Sequence, residues 1–449
     1  MTIDTVTKAL AEARKKDTQF IDLWLTDIQG NLKSISIPPG QFRATDDRSE
    51  LLPRSFDGSS VMGMTDIANS DLMAYPDACR LMRFPFKSNN LVLFSGIRDW
   101  KGMAFYQGDW RYQLKTKLTR IHEDLKYQVK IAAELEFYLF LPNPDGSFNP
   151  SDAKGYFDLA TISIEQELLA IIVTDAEQVG IRVNRAHHEG AKGQFEIELQ
   201  AEEPLTMADN VIALRHIVRT RAKEQGLYAS FMPKPMMAQE GCGLHLRLAV
   251  FHKNSDNNAL YESDLKTLSI AGKSAVVGLC RYSRELMLAT NQWVNSYKRF
   301  QPNTDAPNYL ICSEHLRATS FHSGFSLDND AYPVQPSIHV THPDAACNPY
   351  LAFNALISAA LTTQEPYTWF DDEFFEEKLL EDSKMPKHSH QKIPEDLGQA
   401  IEAFEKSELA VDIWGKVLCV ALIKQKRKQW HNYQKQVSDW EIGHYREVL

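Results

Sequence analysis

Two histidines and three glutamates fall in one short stretch, His187, His188, Glu189, Glu196 and Glu198, punctuated by Gly190 and Gly193. In Phe195–Leu199 acids alternate with apolar residues. A strand there turns Glu196 and Glu198 to one face and Phe195, Ile197 and Leu199 to the other. Glu189 sits across a glycine-containing turn and can fold back beside Glu196. Like carboxylates drawn together in a partly buried site repel unless a cation joins them, and oxygen-rich clusters suit Mg2+ or Mn2+. Taken alone, the stretch reads slightly better as a solvated strand edge carrying surface glutamates.

Three further stretches repeat the pattern. Glu134 and Glu136 alternate with Ala133, Leu135 and Phe137; His245 and Arg247 alternate with Leu244, Leu246 and Leu248; His339 and Thr341 alternate with Ile338 and Val340. Each predicted strand has an apolar face for the core and a face of metal-ligand type. Singly, each pair is most simply a surface face. Four together favour a dinuclear cation site in a common cavity.

These residues need elements to hold them. A chain of 449 residues is long for one hydrophobic core, so two domains of unequal size are expected. The alternating runs Phe20–Thr26 and Leu32–Ile37, separated by a Gly30-Asn31 turn, predict a hairpin in a small β-rich unit that ends near Gly108-Asp109. Helical periodicity is expected over 4–16, 111–126, 163–178, 206–225, 265–290, 348–361 and from 397 onward. Strands are expected over 129–141, 242–251 and 338–341, and 364–396 as a long exposed excursion. A net charge of −10 argues against nucleic-acid binding, and the run Lys424–Lys428 sits in a helix-like segment as a solvated face. Six scattered cysteines without a CxxC pair read as reduced thiols. No apolar run approaches the length of a membrane span, and a soluble, cytoplasmic protein is expected.

Eight blocks then stand in order: Asp22–Gly30, Phe56-Asp57-Gly58-Ser59-Ser60, Ala133–Phe137, His187–Glu189 with Gly193–Ile197, Met232-Pro233-Lys234-Pro235, Gly241–His245, Asn295–Arg299 and Asn348–Phe353. Together they resemble the glutamine synthetase family, which also contains γ-glutamyl-amine ligases, nearly end to end. The resemblance implies an α+β fold: a small N-terminal β-grasp domain (1–108), then a large catalytic domain (109–449) whose mainly antiparallel sheet forms a funnel flanked by helices. It implies a ring-shaped homo-oligomer, a dodecamer of two stacked rings, with each active site between neighbouring subunits. It implies two divalent metal ions, Mg2+ or Mn2+, with Glu136, Glu189 and Glu196 holding one and Glu134 and His245 the other. ATP would be the co-substrate, with a small-molecule carboxylate and an amine. By the same resemblance Asp57, from the neighbour's small domain, would sit at the amine site, and Arg299 would meet the substrate carboxylate. Gly241 and Glu240 would line the substrate pocket. Asp305 would lie on a flap that shuts out water, and Arg317 would touch the transferring phosphate.

The chain also departs from the family pattern. His339 stands where the second metal's third ligand is a Glu. Ser337 and Thr341 replace two flanking arginines, and His322 replaces a phosphate-contacting one. Glu240 replaces an Asn, and Arg247 replaces a His near the nucleotide, returning one positive charge. An arginine acting on transferring phosphate contributes about 10³-fold or more in rate, so these losses matter. His315, His322, His339 and His342 gather in the same segment, and imidazole suits transition ions better than Mg2+, which admits such an ion at His245 and His339. The leading expectation is an ATP-dependent carboxylate–amine ligase, making a γ-glutamyl-type amide through an acyl phosphate, with a substrate pair other than glutamate and ammonia. The alternatives are a metal enzyme on this scaffold that no longer uses ATP, and a non-catalytic relative.

Overall fold

In the computed structural model the described residues are 2–101, 104–158, 163–262, 267–300, 306–307, 309–310, 312–313, 319–323, 336–362 and 391–448. The first hairpin forms as its alternation predicts. Strand β1 (Phe20–Thr26) pairs antiparallel with β2 (Leu32–Ile37) around a turn in which the Asp27 carboxylate accepts from the Gln29 and Asn31 amides. Gly30 takes φ +81°, and a Cβ there would stand 3.0 Å from Asn348 Cα. The turn is therefore pressed against the rest of the molecule in a way only glycine permits. Strands β3 (Arg54–Asp57), β4 (Asp71–Met82) and β5 (Asn90–Asp99) complete a five-stranded mixed sheet in the order β2-β1-β5-β4-β3, with β1 and β5 parallel. Helix α1 (Ile3–Ala13) lays Val6, Ala9, Leu10 and Ala13 against Leu23, Leu91 and Leu93, which makes this unit a β-grasp. It stops at Ala13, short of the predicted Lys16.

The large unit is built on β6 (Tyr127–Pro142), preceded by α2 (Trp110–Glu123), whose N-cap is Asp109. The buried Asp109 carboxylate also accepts from the Ile97 amide of β5 (2.7 Å), and burial pushes its pKa up to about 6. Around β6 lie β7 (Phe148–Pro150), β8 (Val183–His188), β9 (Gln194–Glu202), β10 (Tyr228–Ser230) and β11 (Leu244–His252). Two short strands, β12 (Tyr309–Leu310) and β13 (Cys312–Ser313), are followed by β14 (Phe321–His322) and β15 (Ile338–Val340). The sheet path is β13-β14-β15-β11-β6-β9-β8, antiparallel except between β13 and β14, with β7 and β10 also on β6. One face is apolar: Ala133, Leu135, Phe137, Ile197, Leu244, Leu246, Ile338 and Val340 are all buried.

Helices α2, α3 (Ile164–Gln178), α4 (Pro204–Glu224) and α5 (Ile270–Thr290) pack on the sheet, and α6 (Pro349–Thr362), α7 (Leu397–Glu405) and α8 (Glu408–Gln434) pack on helices, while α9 (Asp439–Tyr445) buries no residue. Helix α5 begins later than its periodicity predicts, because the Ser269 hydroxyl caps it through the Gly272 amide. Most of the predicted excursion, 363–390, lies outside the described residues; 391–392 form β16 (Gln391–Lys392), which pairs with β12. The small and large units share one core, and a buried charge network joins them: Arg111 bridges Asp77 (3.0 Å) and Asp209 (2.9 Å), and Arg80 adds a second contact to Asp209 (3.1 Å). No described helix is long and apolar enough to cross a membrane.

Candidate metal centre

The polar face of the large sheet gathers its chemistry by register. Glu134 of β6 stands opposite His245 of β11 and Glu198 of β9; Glu136 stands opposite Glu196; Glu196 stands opposite His187 of β8; Arg247 stands opposite His339 of β15. Because side chains alternate across a strand, the apolar partners that fill the core force these residues to the other side. Glu134, Glu136, Glu196 and Glu198 are nevertheless all buried, the cost of which is met only by partners or a cation.

The first end of the row is Glu134. Arg247 donates to its Oε1 from Nε (2.9 Å) and Nη2 (2.7 Å), while its Oε2 lies 3.5 Å from His245 Nδ1 and 3.5 Å from His339 Nε2. Burial alone would raise the Glu134 pKa, but the two imidazoles and Arg247 outweigh it and hold the carboxyl well below the usual range. Burial keeps the His339 imidazole neutral by lowering its pKa. His245 bridges onward, its Nε2 3.6 Å from Glu136 Oε1. Glu136 Oε2 accepts from the Gly243 amide (3.0 Å) and from Gln194 Nε2 (2.9 Å).

At the other end, His187 Nε2 lies 3.0 Å from Glu189 Oε1 and 4.0 Å from Glu196 Oε1. Glu189 does fold back, because Gly193 takes φ +70° in the turn, where a Cβ would meet the Leu139 carbonyl at 2.8 Å. His188 and Asp152 clamp that turn: His188 Nε2 is 3.1 Å from both Asp152 oxygens, His188 Nδ1 is 2.6 Å from the Glu189 carbonyl oxygen, and Asp152 accepts from the Gly193 amide. Glu196 carries the strain of the cluster. Burial first, then the charges of Glu134, Glu136 and Glu189, push its pKa up to about 10. A carboxyl that cannot ionise beside three others is the signature of a site built for added positive charge.

Three donor sets among the described residues have ligand atoms within 4.8 Å of one another: Glu134, His245, His339; Glu136, Glu196, His245; and His187, Glu189, Glu196. Their oxygen-rich middle and their imidazole-rich end both fit divalent cations. The expected trio Glu136, Glu189 and Glu196 does not form one set; Glu196 links two, since Glu189 turns to His187. Glu198 belongs to none, being paired with Arg185 (2.7 Å) and 3.8 Å from Arg247.

Other expected residues stand apart from the acids. Arg299 is buried, and its guanidinium donates to the carbonyls of His342 (3.1 Å), Pro343 (3.3 Å) and Thr341 (3.1 Å), with Nη2 3.3 Å from His245 Nε2. Meeting a substrate carboxylate requires it to leave those carbonyls. Gly241 packs where a Cβ would meet the Pro233 carbonyl at 2.5 Å, and its own carbonyl accepts from Gln194. The Glu240 carbonyl accepts from the Tyr138 hydroxyl (2.7 Å). Asp57 is exposed at the end of edge strand β3, where hydrogen bonds from the Ser59 and Ser60 hydroxyls lower its pKa. Arg247 grips Glu134 rather than standing free for a nucleotide. Asp305, Arg317 and His315 lie outside the described residues. His342 is a packing residue: fully buried against Phe321, with its pKa pushed down to about 3 by burial.

Sequence reasoning singled out His187 and His188 without giving either a role, and it missed what Gln194 and Asp152 do. His187 carried a legible signal, since it alternates in phase with Glu189. Asp152, 36 residues upstream of His188, carried none.

Comparison with known proteins identifies the family and the fold. The family described as the glutamine synthetase beta-Grasp domain matches residues 17–99, and the glutamine synthetase catalytic domain matches 107–445. Glutamine synthetase of Mycolicibacterium smegmatis is 32% identical over 445 residues, covering 97% of this chain and 98% of its own. That of Halobacterium salinarum is 32% identical over 454 residues, covering 99% and 97%. Among solved structures, GmaS without ligand superposes with a TM-score of 0.82 at 26% identity, covering 98% of this chain and 99% of its own. Plasmodium falciparum glutamine synthetase shares the fold, with a TM-score of 0.81 at 21% identity and 98% of each chain covered. On the acid-lined sheet, the β-grasp unit before it and these matches over nearly the whole length, the chain belongs to the glutamine synthetase family.

Proposed function

We propose that this protein is an ATP-dependent carbon–nitrogen ligase that activates a carboxylate as an acyl phosphate and passes it to an amine, with a substrate pair other than glutamate and ammonia. The observation that carries the ligase reading is the row of four buried carboxylates and two imidazoles on one sheet face, with Glu196 unable to ionise alone. Divalent cations held where Glu196 joins the sets Glu136, Glu196, His245 and His187, Glu189, Glu196, and by Glu134, His245 and His339, would supply Lewis-acid neutralisation of phosphate oxygens when bound.

Within that reading the chain divides near residues 108 and 109 into a small domain and a catalytic domain, and protomers assemble into a ring in which Asp57 reaches the neighbouring funnel. Its exposure on an edge strand and its readily ionised carboxyl suit a role in holding a cationic amine. Arg299, with Gly241 and Glu240 beside it, would orient the acid; Arg317 would face phosphate; Asp305 would close the site. The departures support an altered substrate. Thr341 is buried with its hydroxyl donated to the Thr319 carbonyl, so it offers no cation where the family keeps one. The test is phosphate release from ATP with Mg2+ or Mn2+ across a panel of amino acids and amines. The reading expects release that depends on both an acid and an amine. No nucleotide binding at millimolar ATP with divalent metal would overturn it.

A further inference from the structure

The two ends of the carboxylate row are chemically unlike. We propose that the end formed by Glu134, His245 and His339 is a site selective for a transition ion of the zinc class, with Arg247 as the positioning residue that fixes Glu134. The use made of such an ion rests on the ligase reading; its binding rests on geometry alone. Glu134 Oε2 stands 3.5 Å from each imidazole nitrogen, too long for a good hydrogen bond. Tetrahedral ligation at about 2.1 Å places neighbouring donors about 3.4 Å apart, close to both Glu134–imidazole distances, and all three donors lie within 4.8 Å of one another. His339 Nε2 is buried without a hydrogen-bond partner, so its lone pair is committed to nothing else.

The other Glu134 oxygen is already spent on two donors of Arg247, which leaves one oxygen to ligate and stops the carboxylate from rotating. Carboxylate ligands are oriented in this way by outer partners. A single carboxylate beside a guanidinium offers little net charge to Mg2+, a hard ion that sheds water reluctantly, whereas imidazole nitrogens bond well to zinc. Beyond it Glu136, Glu189 and Glu196 spread three carboxylates over two donor sets, and that oxygen-rich stretch suits Mg2+ or Mn2+.

The test loads the full-length protein with Zn2+ in a large excess of Mg2+, passes it through gel filtration and measures metal by mass spectrometry. About one zinc per protomer is expected to survive, and Co2+ in its place should give the visible absorption of a four- or five-coordinate nitrogen-ligated ion. H339A and, as a milder change, H339Q should release the zinc while Mn2+ binding persists. R247M should weaken zinc affinity by about 10-fold or more. Zinc displaced by Mg2+, or retained in both His339 variants, overturns the site; unchanged affinity in R247M overturns the positioning role. Phosphate release from ATP is measured on the same samples. Zinc retention without ATP use would sink the ligase reading alone, and ATP use without zinc retention would sink this proposal alone.

Discussion

Glu196 decides how the centre behaves when no cation is supplied. Its pKa, raised from 4.5 to about 10, means the folded chain keeps a proton there that the unfolded chain gives up. The sign follows: the stability linked to this group is full below the unfolded value and drains away as pH rises through the folded one. Substituting Glu196→Gln removes the titration and leaves a neutral, isosteric group. In chelator-treated protein at pH 8, E196Q should therefore be more stable than the native chain by about 2 kcal/mol, a rise of roughly 3 °C in Tm. The gap should widen as pH rises from about 5 toward 9. Calorimetry across that range checks it; a residue that merely stabilises the fold would show the opposite sign. The same substitution should abolish the stabilisation that added Mn2+ gives the native chain.

At the scale of elements, the strands were legible and their joints were less so. Glu134, Glu136, Glu196, His245 and His339 could each be placed on the polar face of its own strand from alternation alone, because a buried opposite face leaves register no freedom. Which strands are neighbours could not be read from spacing: that β6 sits between β11 and β9, so that Glu134 meets His245 and Glu136 meets Glu196, is a long-range pairing. For the same reason Arg247 was read as facing a nucleotide when the sheet delivers it to Glu134, and Asp152 was invisible until the turn it clamps was seen. Helix limits were missed by a few residues where a capping hydroxyl such as Ser269 sets the start. The first hairpin was readable because two alternating runs flank a turn that carries Gly30, which the structure holds at φ +81°, whereas the β-grasp as a whole came from the family resemblance.

The whole molecule raises the question of where Asp57 acts. Strand β3 ends the small sheet, and Asp57 is exposed there, its carboxylate accepting from Ser59 and Ser60 of its own unit. If neighbouring subunits share each site, D57N and E196Q are both inactive alone, yet mixed oligomers contain sites with both residues intact. Random mixing in equal amounts should restore about a quarter of native ligase activity; no recovery after verified subunit exchange would place both residues in one protomer's site. The claim beneath all of this is that the acids of the funnel exist to hold cations. Calorimetric titration of the metal-free protein with Mn2+ near pH 7.5, in buffers of different ionisation enthalpy, tests it most directly. The account predicts saturable binding accompanied by release of about one proton per protomer, both lost in E196Q. Absence of saturable binding at millimolar Mn2+, or binding that E196Q leaves untouched with no proton released, would contradict it.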